Sequence, residues 1–198
     1  MKILTIMGTR PEAIKMAPLL KAIEKSDDLN GVVCSTGQHK EMLTQVTDFF
    51  DLALDYQLNL MTKNQSLSHL TSNLIKKIPY VLNKEKPDLV LVHGDTATTF
   101  AASFASFLEG IDVGHVEAGL RSKNINLPWP EEANRRLTSV ISKYHFAPTI
   151  RAKNLLLKEN IEEKNIIVTG NTVIDALFEA NKEIEMNISL KQKLAGNF

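Results

Sequence analysis

The stretch Asp88-Leu89-Val90-Leu91-Val92-His93-Gly94-Asp95-Thr96 decides the fold. Four consecutive apolar residues lack the polar alternation of a half-solvated strand, so they read as a strand covered on both faces, the habit of parallel sheets. Outward from it, residues 2–7, 32–36, 112–117, 144–147 and 165–169 read as further strands. Between them lie longer segments with helical spacing. Ala13, Met16, Ala17, Leu20 and Ile23 recur at steps of three and four, and so do Leu67, Leu70, Leu74, Ile78 and Val81. Pro18 and Pro79 fall inside these two patterns, where each helix is expected to kink or restart. Strands alternating with helices imply right-handed βαβ units and a doubly wound parallel sheet, an α/β fold. In such sheets ligands bind at the carboxyl edge of the strands, near a topological switch point.

Composition narrows the function. The 198 residues carry 23 Lys+Arg against 23 Asp+Glu, and this balance removes the electrostatic argument for a nucleic-acid partner. With 43% hydrophobic and 23% charged residues the chain reads as globular, which excludes a disordered tail. The single cysteine, Cys34, cannot close an internal disulfide; it reads as core packing in a reducing, cytoplasmic setting. No apolar run approaches the ~18 residues of a membrane span. Residues 1–7 lack an A-x-A-like cleavage site and read as a first strand rather than a signal peptide.

The residues that follow each strand carry the chemistry. The first strand empties into Gly8-Thr9-Arg10-Pro11-Glu12, where Gly8 permits a tight turn and Pro11 suits the first turn of a helix. A helix amino terminus at the sheet edge offers N–H groups to an anion, and Arg10 and Lys15 add positive charge; a plain βα turn with solvated basic side chains is the competing explanation. One glycine instead of three, and Thr36 where a ribose-binding acid would stand, disfavour a nicotinamide dehydrogenase.

Period-two alternation puts His93 and Asp95 on one face of their strand, and His115 and Glu117 on one face of theirs. If these strands are neighbours, ~4.8 Å apart, two carboxylates emerge together at the ligand edge. Close carboxylates raise one another's pKa, so one can hold a proton while the other acts as a base. Asp95 has a competing role as N-cap of the helix beginning near Thr96. Glu117 precedes Ala118-Gly119-Leu120, a poor helix opening, and has no evident capping role. His93 and His115, one pleat deeper, read as core or supporting histidines. Two histidines and two carboxylates permit a metal, but their spacing matches no recognised metal pattern.

In Pro128-Trp129-Pro130-Glu131-Glu132-Ala133-Asn134-Arg135-Arg136 the prolines stiffen a loop and two acids open a helix, complementing its dipole. Glu132 is explained by that role, whereas the loop can aim Glu131 back at the strand ends. Arg135, one turn on, is placed to pair with Glu131 or to meet a phosphate. Thr36-Gly37-Gln38-His39 closes the second strand, so Gln38 and His39 either touch a ligand or simply open a helix. No G-x-S-x-G elbow, supported Cys–His pair or P-loop is present.

Six segments, in order along nearly the whole chain, resemble the non-hydrolysing UDP-N-acetylglucosamine 2-epimerases: residues 7–18, Thr36-Gly37-Gln38-His39, His93-Gly94-Asp95-Thr96, residues 114–121, residues 128–136 and residues 169–177. The resemblance implies two Rossmann-like domains facing across a cleft, as in two-domain glycosyltransferases. It implies an isomerase that interconverts UDP-GlcNAc and UDP-ManNAc without a cofactor or metal. The chemistry it implies is anti elimination of UDP to give 2-acetamidoglucal, then re-addition of UDP after C2 is reprotonated on the other face. By position, Asp95, Glu117 and Glu131 look like the acid/base set; Arg10, Lys15, Gln38 and His39 look like substrate contacts, with Arg135 as helper. A homodimer serving polysaccharide biosynthesis is expected, with no membrane or nucleic-acid partner.

Family members continue through a second domain that supplies most of the uridine and diphosphate contacts. Residues 1–170 are therefore expected to form the Rossmann-like domain and residues 171–198 a helical linker to a second domain absent from this chain. These 198 residues alone are expected to be nearly inactive. A hydrolysing epimerase, a glycosyltransferase on the same scaffold, and a non-catalytic nucleotide-sugar-binding domain are the alternatives.

Overall fold

The apolar run becomes β4 (Leu89–His93), buried along its whole length at the middle of a seven-stranded sheet. The computed structural model describes residues 1–37, 40–60 and 65–187. Its elements are β1 (Lys2–Met7), α1 (Arg10–Glu24), β2 (Asn30–Ser35), α2 (Lys40–Phe50), β3 (Tyr56–Gln57), α3 (Leu67–Glu85), β4, α4 (Ala97–Leu108), β5 (Asp112–Val116), α5 (Glu131–Ile141), β6 (Tyr144–Ala147), α6 (Ile150–Lys158), β7 (Ile166–Val168) and α7 (Thr172–Met186). The strand order is β3-β2-β1-β4-β5-β6-β7, parallel at every pairing. Winding reverses between β1 and β4, so the switch point lies between the turns that follow those two strands. This is the Rossmann-like, doubly wound fold that the alternation of elements predicts.

Alternation along the central strands feeds two cores. Leu4, Ile6, Val90 and Val92 face Leu74 and Ile78 of α3 and Ala101 and Ala105 of α4. On the other side Ile3, Met7, Leu89 and Leu91 face Met16 and Leu20 of α1 and Leu43 and Phe50 of α2. Each fully buried Leu or Ile contributes about 1.5–3 kcal/mol to folding. The small Ala101, Ala102 and Ala105 let α4 approach the sheet closely.

Two expectations need correction, and one strand is new. Neither α1 nor α3 restarts at its proline. Buried residues flank Pro18 (Ala17, Leu20) and Pro79 (Ile78, Val81), so packing on the sheet carries each helix past the missing N–H. Strand β3 was not foreseen: two residues long, it adds to β2 as an edge through Cys34↔Tyr56 and Ser35↔Gln57. Glu117 falls one residue beyond its strand, in the turn after β5. Helix α7 folds back on α1: Ala176 shares the core of Ala13 and Met16, and Lys21 pairs with Glu179 at 3.3 Å.

Candidate active site

Four βα turns and the amino terminus of α7 converge at the carboxyl edge. After β1, the Gly8 and Thr9 amides donate to Glu12 Oε2 at 2.9 and 2.7 Å. The other Glu12 oxygen accepts from the Thr96 and Thr99 hydroxyls at 2.7 and 3.2 Å. One buried carboxylate thus stitches the turn after β1 to the turn after β4, across the switch point. Burial pushes the Glu12 carboxyl upward against the pull of the Thr96 hydroxyl and Gly8 amide. Beside it a Cβ on Gly8 would sit 2.4 Å from both the Thr36 and Thr98 hydroxyl oxygens, so close approach of the segments is what demands glycine here.

Glu117 sits in the left-handed backbone region, at φ 63°. That conformation costs a side-chain-bearing residue about 1–3 kcal/mol and persists only where its surroundings enforce it. Here they do. Lys15 Nζ donates to both carboxylate oxygens, at 2.7 and 2.9 Å. The Asn171 amide donates to Oε1 at 2.9 Å, and His93 Nε2 lies 3.5 Å from Oε2. Burial depresses the His93 pKa to about 4, against the opposing pull of Glu117, so the ring is neutral at pH 7.

Asp95 is half-buried, and Arg135 Nη2 lies 2.5 Å from its Oδ2. The Asn134 side chain donates to the Asp95 carbonyl at 2.9 Å. Burial pushes the Asp95 carboxyl upward, Arg135 opposes it, and Glu131 and Glu117 add to the rise. The three predicted acids therefore share one electrostatic neighbourhood, with Asp95 at its centre. Asp95 does not cap α4. Thr96 does, its hydroxyl accepting from the Thr99 amide at 3.1 Å, which leaves the Asp95 side chain to the rim.

Glu131 opens α5 and is half-buried. Arg135 does not pair with the Glu131 carboxylate; its Nε donates to the Glu131 carbonyl at 3.3 Å while the guanidinium reaches Asp95. Glu132, fully buried, accepts from the Ser122 amide at 3.0 Å and Arg136 Nε at 2.9 Å, and so fastens the preceding loop to its helix. Arg10 is exposed in the first turn of α1. Gln38 and His39 lie outside the described residues.

His115 is fully buried, its Nε2 2.7 Å from the Gly94 carbonyl. Burial depresses it to about 3, so the neutral ring donates through Nε2–H and props the turn that presents Asp95. Among the described residues no group of three or more His, Cys, Asp or Glu side chains is arranged to hold a metal ion. The Cys34 thiol is buried and pushed up to about 12, which makes it packing.

Sequence reasoning passed over Glu12, Asn134 and Asn171. Two had a readable signal: Thr9-x-x-Glu12 has the form of a capping box, and Asn171 stands where an N-cap would open α7. Nothing local pointed to their second partners.

Fold and rim together define a class: a Rossmann-like domain that presents three carboxylates, with lysine and arginine partners, at its switch-point edge. A family profile described as UDP-N-acetylglucosamine 2-epimerase matches residues 21–197, and the chain belongs to that family. It is 56% identical over 192 residues to UDP-N-acetylglucosamine 2-epimerase of Neisseria meningitidis serogroup A, covering 97% of this chain and 52% of that protein. It superposes with a TM-score of 0.95, at 54% identity, on the crystal structure of UDP-GlcNAc 2-epimerase from Neisseria meningitidis bound to UDP-GlcNAc, covering 100% of this chain and 54% of that one. The chain thus spans about half the length of the relatives it matches. A lipopolysaccharide outer core galactosyltransferase, WaaB, shares the fold alone, at TM-score 0.58 and 16% identity.

Proposed function

We propose that the whole protein carrying this domain interconverts UDP-GlcNAc and UDP-ManNAc, with Asp95, Glu117 and Glu131 as its acid/base set. The observation that carries this reading is the meeting of those three carboxylates at one edge, where burial and mutual proximity raise Asp95. In the forward step a base takes the C2 proton while the C1–O bond breaks, its electron pair leaving with UDP to give 2-acetamidoglucal. In the return step C2 is protonated on the opposite face and a UDP oxygen rejoins C1. Two proton-handling groups on different sides of the sugar are required, and three acids from three separate elements supply that freedom of direction. Arg10, exposed beside the α1 amino terminus, suits contact with the diphosphate, as does Lys15; Gln38 and His39 belong to the same substrate-contacting set. Arg135 steadies Asp95.

A cytoplasmic homodimer serving polysaccharide biosynthesis fits the same reading. Exposed Phe107 and Leu108 on α4 supply apolar area for self-association, the single cysteine suits a reducing compartment, and no described helix is long and apolar enough to cross a membrane. The test is to incubate the purified whole protein with UDP-GlcNAc in deuterium oxide and follow products by NMR. UDP-ManNAc carrying deuterium at C2 is expected; epimerisation without solvent deuterium at C2 would refute the elimination route. Residues 1–198 alone are expected to show little or no turnover, since clamping a leaving diphosphate from one side sacrifices most of the positioning a cleft supplies.

A further inference from the structure

We propose that Asn171 is a positioning residue that holds the Glu117 carboxylate from α7 and so couples that helix to the rim; this rests on the epimerase reading above. The residue does two things at once. Its Oδ1 accepts from the Val173 amide at 3.1 Å, capping α7, while its Nδ2 donates to Glu117 Oε1 at 2.9 Å. The amide is oriented by this division of labour: the cap uses its oxygen, leaving the nitrogen for the carboxylate. Glu117 also receives both bonds from Lys15, which lies on α1, and α1 is the helix against which α7 packs. The carboxylate is thus gripped by two mutually packed helices, in a turn whose backbone is left-handed.

The grip has a direction. Asn171 and Lys15 share Oε1, whereas Oε2 faces His93 at 3.5 Å and takes the second lysine bond. An amide donor on Oε1 keeps the carboxylate from rotating about its own bond, so the lone pairs stay aimed while a sugar exchanges a proton. A displacement of α7 is transmitted to Glu117 through a single hydrogen bond. The charged and titratable groups around Glu117 are Lys15 from α1, His93 from β4 and Asp95 from the turn after β4.

Serine separates the two roles of this residue, because it caps a helix well but is too short to reach Glu117. In the whole protein, Asn171→Ser is expected to lower kcat on the order of 10- to 100-fold, with KM changed less than about twofold and the melting temperature unchanged. Asn171→Asp also keeps the cap, but sets a second carboxylate against Glu117. It is expected to move the acid limb of the pH–rate profile up by about one unit, and the Glu117 carboxyl titration followed by carbon-13 NMR with it. Wild-type kcat in Asn171→Ser overturns the proposal. So does a loss of activity that tracks a fall in melting temperature, which would make the residue a cap only. If wild type makes no UDP-ManNAc, the proposed reaction fails, and the NMR titration still decides whether Asn171 holds Glu117: an unmoved titration in Asn171→Asp sinks the proposal.

Discussion

Two layers of polar side chains lie one above the other at the carboxyl edge, and they are built on opposite terms. The lower layer, Glu12 with His93, His115 and His145, is sealed: each side chain is buried, and burial pushes every one of them toward its neutral form. The upper layer, Asp95 and Glu117, is partly exposed and faces the cationic partners Arg135 and Lys15. Glu12 is held by backbone amides and hydroxyls, while Glu117 is held by the Lys15 and Asn171 side chains at a partly exposed rim. The same carboxyl group is a rivet in the lower layer and, on the proposed function, a reagent in the upper one. Depth and the identity of the donors decide which.

That division makes substitutions in the two layers fail differently. Glu117→Gln keeps the shape of the rim but removes its proton acceptor, so kcat is expected to fall at least about 1,000-fold, roughly 4 kcal/mol of transition-state stabilisation, with little change in the urea midpoint. Comparable loss of rate and stability would show that Glu117 belongs to the lower layer after all. Glu12→Ala should do the reverse. It leaves two amides and the Thr96 hydroxyl without their acceptor, whereas the Thr99 hydroxyl keeps the His93 carbonyl at 2.6 Å, and a loss of about 3 kcal/mol in unfolding free energy is expected by urea denaturation.

The lower layer also predicts a pH response. His93, His115 and His145 have native values of about 4, 3 and 4, against an ordinary value of 6.5. Below 6.5 the unfolded chain binds protons that the native chain refuses, so their contribution is fully present above that pH and is lost as pH falls toward the native values. Going from pH 7 to pH 6 should cost about 2 kcal/mol, summed over the three histidines. A flat unfolding free energy over that interval would mean the rings are not sealed. Smallest of all is the expected effect of breaking Lys143–Asp112, an ion pair at 2.5 Å outside both layers and well exposed. Lys143→Ala should leave the midpoint and the rate where they were, because water screens such a pair.

How much of this was legible in the sequence varies with distance along the chain. Strands β1 and β6 matched residue for residue, because their apolar runs end abruptly at turn-forming sequence. Asp95 and Glu117 were legible as rim residues through the rule that ligands meet parallel sheets at their carboxyl edge, and Glu131 through the stiff proline loop that can aim it back at the strand ends. Their partners were not. Lys15 and Glu117 are separated by 102 residues, and no local pattern announces a contact made only when α1 crosses the sheet. Arg135 looked placed for Glu131, one helical turn away, yet it reaches Asp95 instead. Asp95 and Thr96 are both good helix caps, and only the backbone geometry of the turn chose between them. Strand β3 was illegible because a two-residue edge has no period to detect.

The left-handed backbone at Glu117 has a consequence for how this domain can change. Glycine would relax that turn at once, and Glu117→Gly would also abolish the acid. That relief is offset, because glycine also leaves the Lys15 ammonium and the Asn171 amide without the carboxylate they grip, so a screen for heat tolerance alone has little to gain at this position. On the proposed acid/base reading, the strained turn is what aims this carboxylate at the rim.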